Sequence, residues 1–98
     1  MPRIARTIVP GVPHHVTQRG NFQQETFLIE EDRERYIEWL AGYAKAFGTQ
    51  FWAWCLMTNH VHFVAVPERE DSLARTFHST HQRYSLHLNK RLKRCGHL

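Results

Sequence analysis

The triplet His60-Val61-His62 opens a run, His60 to Val66, that is rich in Val and ends at Pro67. In a strand, residues two apart point to the same face and sit roughly 6.6 Å apart along the chain. Both imidazoles therefore project together, while Val61, Phe63 and Ala65 face the opposite way and anchor the strand. Neutral imidazole is a common metal ligand, and a strand orients two of them more rigidly than a loop does. The chemistry on offer is coordination of a divalent cation. Eight His in 98 residues also produce such a triplet by chance, so the spacing alone leaves metal ligation beside the reading of two ordinary strand histidines. A different arrangement adds Cys95 and His97 to His60 and His62, giving a closed zinc site of one Cys and three His in a small nucleic-acid-binding module. The Cys95-x-His97 spacing is not that of a zinc finger or ribbon.

Nucleophiles are fewer. Tyr84 shares a helical face with Phe77 and Leu88, which makes core packing its default and attack on a substrate its weaker role. Tyr36 and Tyr43 belong to an apolar helical stripe, and Ser79 and Ser85 have no acid nearby in sequence. Cys55 and Cys95 stand forty residues apart without a CxxC motif, so neither a disulfide scaffold nor a thiol redox site is indicated.

The elements that must position these groups follow from periodicity. Residues 12–19, between Pro and Gly, read as a first strand, with Gly20 and Asn21 turning out of it. From Glu30 to Phe47 the residues Tyr36, Ile37, Leu40, Tyr43, Ala44 and Phe47 recur at helical spacing. Glu30, Glu31 and Asp32 suit the N-terminal end of that helix dipole, and Gly48 suits its stop. Thr49 to Met57 is apolar on both faces, predicting a strand covered on both sides, with Trp52 and Trp54 in the core. The short Thr58-Asn59 link predicts an antiparallel hairpin with His60–Val66. Asp71 or Ser72 then caps a helix running to about residue 93 through Leu73, Phe77, Tyr84, Leu88 and Leu92. Strand, helix, strand, strand, helix predicts an α+β, ferredoxin-like antiparallel sheet with two helices packed on one face, in a single domain over residues 1–98.

Thirteen Lys and Arg against nine Asp and Glu give a net charge of +4, unevenly spread. After Asp71 there is no acid, and Arg75, Arg83, Lys90, Arg91, Lys93 and Arg94 stand unopposed. That is a footprint for a polyanion or a solvated basic face. Arg19 and Asn21 flank Gly20, where close backbone approach suits a phosphate. Trp52, Trp54 and Phe22 are conceivable platforms for stacked bases. No apolar run approaches the ~20 residues of a membrane helix, and the N-terminus lacks a signal-peptide core. A cytoplasmic protein is expected.

Taken together, PGVPHHVTQRGN, WCLMTNHVHFVAVP, HQRYSLHLNKR and the closing GHL resemble the N-terminal part of the HUH single-tyrosine transposases, especially the bacterial REP-associated ones, over Pro2 to Leu98. The resemblance implies that His60 and His62 hold Mg2+ or Mn2+. It further implies metal-dependent cleavage and rejoining of single-stranded or hairpin DNA, in which a tyrosine forms a 5′-phosphotyrosine and releases a 3′-hydroxyl. Arg19, Asn21, Arg83, Lys90, Arg91, Lys93 and Arg94 become candidate DNA contacts, and family relatives can dimerise. In that family the nucleophilic Tyr lies on a later helix, with Asn or Gln four residues on as a third ligand. No such pair follows His62 here, so the nucleophile helix is expected to lie outside this chain. The alternative is a non-catalytic remnant that binds single-stranded DNA.

Overall fold

A computed structural model describes residues 7–19, 30–56 and 60–94. The order is β1 (His14–Arg19), α1 (Glu30–Phe47), β2 (Thr49–Leu56), β3 (His60–Pro67) and α2 (Ser72–Arg94). The three strands form one antiparallel sheet in the order β1-β3-β2. This is the α+β arrangement expected from the sequence.

β3 takes the centre because it alternates cleanly. Val61, Phe63 and Ala65 are buried, while His60, His62 and Val64 are only half-buried. The buried set joins Val16 of β1, Tyr36 and Leu40 of α1, and Leu73, Phe77 and Tyr84 of α2 in one core. Both helices therefore cover the same face of the sheet. Phe63 and Phe77 meet with ring centroids 5.2 Å apart, and Phe51 of β2 closes the aromatic group at 5.2 Å from Phe63. Full burial of each such ring contributes roughly 1.5–3 kcal/mol. α1 ends where Gly48 adopts a φ of 79° and its amide bonds back to the Ala44 carbonyl at 2.9 Å, a left-handed stop that favours glycine. No helix among the described residues is long and apolar enough to cross a membrane.

The expectation for β2 needs correction. It is an edge strand and largely exposed, not covered on both sides; Trp52 is 63% and Trp54 58% exposed. A register shift between Phe51 and Ala53 makes Trp52 an extra residue. Beyond that bulge the simple alternation is offset, so Ala53 and Cys55 pair with Val64 and His62, and Trp54 pairs with Phe63. Trp54 thus shares the helix-side register of Phe63 but stands at the margin, where the helices do not cover it.

Between the helices runs a polar seam that periodicity did not reveal. Asp32, read from sequence as a dipole partner, is fully buried and accepts a 2.8 Å hydrogen bond from His87 Nε2. Tyr36 Oη donates to His81 Nε2 at 2.7 Å. Burial raises the Tyr36 hydroxyl far above its usual range, and burial, with His78 nearby, lowers His81 to about 4. Both shifts keep the pair neutral, as an O–H donor on a neutral imidazole requires.

The consequence for acid stability has a definite sign. Between about 6.5 and about 4 the unfolded chain binds a proton at His81 that the folded chain refuses. Stability therefore declines as pH falls through that window, by about 3 kcal/mol when complete. Urea unfolding at pH 7 and pH 4.5 is expected to show this decline, flattened in His81→Gln. Separately, Trp52→Ala and Trp54→Ala should each cost less than about 1 kcal/mol, against the 3–5 kcal/mol typical of a buried aromatic, in the same denaturant measurement.

Candidate metal centre

The face of the sheet away from the helices is built by β3 and its two neighbours. In antiparallel pairs, directly opposed residues share a face. Thr17 and Cys55 oppose His62, and His15 opposes Val64. This face therefore collects His60 and His62 with His15, Thr17 and Cys55, and none of these five is buried.

The imidazoles form a row. His62 lies between His60, at 6.0 Å between ring centroids and 21° between planes, and His15, at 5.7 Å and 6°. Thr17 Oγ1 lies 3.3 Å from His62 Nδ1. With Nδ1 engaged there, Nε2 is the His62 nitrogen left to face a ligand. Local sequence does not assign His15, because two adjacent histidines on a strand point opposite ways and nothing nearby says which one joins the pair. Its neighbour His14 is occupied locally, with Nδ1 on the Val12 carbonyl at 2.6 Å and Nε2 accepting the Val9 amide at 3.2 Å.

Two imidazole nitrogens from one strand suit a divalent cation that takes its remaining ligands from water and phosphate oxygens. Among the described residues no group of three or more His, Cys, Asp or Glu could hold an ion. The described residues thus offer two imidazoles with open positions left for other ligands. Cys95 and His97, the further ligands of the zinc arrangement, lie outside the described residues, as does Asn21.

The other residues singled out by sequence lie elsewhere. All three tyrosines of the chain are on the helices. Tyr84 is 5% exposed and meets Tyr36 edge-to-face at 5.3 Å between centroids. The sheet separates this core from the histidine row. Arg83 is exposed on the helical layer, its guanidinium carbon 4.7 Å from the Trp39 ring centre. Arg19 pairs with His60 across β1 and β3, so its backbone lies beside the first imidazole.

Lys90, Arg91, Lys93 and Arg94 occupy the last turns of α2. Thr76 near the helix start bonds Thr49 at 2.8 Å, and Thr49 pairs with Pro67 at the far end of β3. From Thr76 to Arg94 the helix then rises about 27 Å.

Two comparisons bear on this arrangement. Residues 12–97 match the family model described as "Transposase IS200 like". A comparison with curated proteins finds no match.

Proposed function

The chain belongs to the IS200-like transposase family, and on that premise we propose that it forms the cation-binding part of a site that cleaves and rejoins single-stranded or hairpin DNA in the cytoplasm. His60 and His62 are the protein ligands, and the ion is Mg2+ or Mn2+. The observation that carries this reading is the placement of both imidazoles on one solvent-reachable face of the central strand.

When bound, the cation polarises a scissile phosphate and offsets the charge that builds on its oxygens. The chain's own residues do the rest of the local work. His60 and His62 would hold that cation, and the Arg19 segment beside His60 receives the backbone of the strand. Lys90, Arg91, Lys93 and Arg94, in the last turns of α2, neutralise flanking phosphates. Arg83, on the helical layer, serves DNA that wraps round that end. The tyrosine that attacks phosphorus, and that carries the 5′-phosphate while the 3′-oxygen leaves, comes from outside these 98 residues, since Tyr36 and Tyr84 are buried behind the sheet and Tyr43 is on the same helical layer. A second copy of the chain pairs along an outer strand, β1 or β2, of the sheet formed by the described residues.

That tyrosine placement favours a second reading, in which the chain alone binds folded single-stranded DNA without cutting it. Incubation with a labelled hairpin oligonucleotide separates the outcomes. Mn2+ should strengthen binding, measured by anisotropy, relative to chelator, and His60→Ala or His62→Ala should remove the gain, with no covalent protein–DNA species formed by the chain alone. A covalent species abolished by Tyr84→Phe would overturn the assignment of the nucleophile. Binding indifferent to Mn2+ and to both histidines would leave the non-catalytic reading.

Nitrogen ligands also rank the ions. Mn2+ should bind more tightly than Mg2+, which prefers oxygen, as competition calorimetry can measure. Lys90→Ala should weaken DNA binding regardless of sequence and reduce the slope of log K against log salt by about 0.7 for a single strand.

A further inference from the structure

The row of imidazoles contains one contact that the pairing of the two strands makes possible and the His-Val-His spacing cannot supply. Thr17 stands directly opposite His62 in the β1–β3 ladder, with Oγ1 3.3 Å from Nδ1. A ring nitrogen that binds a cation must present a lone pair, so the other nitrogen then carries the proton. A hydroxyl held beside Nδ1 accepts that proton's hydrogen bond and leaves the Nε2 lone pair outward.

We propose that Thr17 is a positioning residue for the metal centre, holding His62 in its Nδ1–H tautomer so that Nε2 is the ligating atom. This rests on the reading of His60 and His62 as metal ligands, and it extends the site from one strand to two. Outer partners of this kind fix both the tautomer and the angle of a ligating imidazole, and their loss typically costs 10–100-fold in metal affinity. Thr17 suits the task because it is half-buried on a paired strand, where a β-branched side chain has few rotamers. His15 stacks along the same ring, so rotation of His62 out of the row meets a neighbour on either side.

The test begins without metal. Nitrogen-15 NMR of the histidine-labelled, metal-free chain should place the His62 proton on Nδ1 at a pH where the ring is neutral. Thr17→Val, which keeps shape and strand propensity while removing the hydroxyl, should shift the population toward Nε2–H and weaken Mn2+ binding by at least tenfold. Thr17→Ser should restore both. A wild-type His62 protonated on Nε2, or a Thr17→Val chain whose tautomer and Mn2+ affinity are unchanged, would overturn the proposal. Failure of the metal reading gives a different pattern: Mn2+ binding unaffected by His62→Ala while Thr17→Val still moves the tautomer. Should Thr17→Val fold poorly, the wild-type tautomer and the Thr17→Ser comparison still decide the question.

Discussion

The alternation of β3 is the constraint from which the rest of this molecule follows. A strand has two faces, and here one is committed to Val61, Phe63 and Ala65, each 2% exposed or less. Burying that set against two helices forces His60 and His62 to the other side, because a shift of one residue would exchange the faces entirely. The core and the histidine row are thus two sides of one element. The apolar energy that folds the domain also orients the imidazoles.

The same separation sorts the remaining chemistry. In the polar seam, Tyr36 with His81 and Asp32 with His87 satisfy groups buried between α1 and α2. A buried polar group without a partner costs free energy, so these pairs set the register of one helix on the other as well as filling space. The sheet then stands between every tyrosine of the chain and the histidine row. The basic residues Lys90, Arg91, Lys93 and Arg94 belong to the last turns of α2, in the helical layer and not on the sheet face that carries the histidines.

How much of this was legible depended on whether the signal was local. The helix bounds Glu30 and Phe47, the Gly48 stop and the opposed faces of β3 are properties of consecutive residues, and period and turn chemistry specify them. Membership in the transposase family was likewise carried by short ordered segments. β2 misled because both of its faces are apolar, and alternation cannot tell a central strand from an edge strand. The bulge at Trp52, set by pairing with β3, was invisible for the same reason. Asp32 looked like a dipole partner because nothing within a few residues of it announces His87, 55 positions away.

The sequence by itself determined the order of elements, the inward and outward faces of the central strand, the pairing of His60 with His62, and the excess of positive charge after Asp71. The tertiary structure alone decided that Thr17 and His15 join that pair, that Tyr84 is sealed on the opposite side of the sheet, and that Trp52 and Trp54 face solvent. The physical reason is the reach of the interactions involved. Periodicity records the direction a side chain takes from its own backbone, whereas its neighbours across a ladder or between layers depend on register, which only the assembled sheet and helices establish.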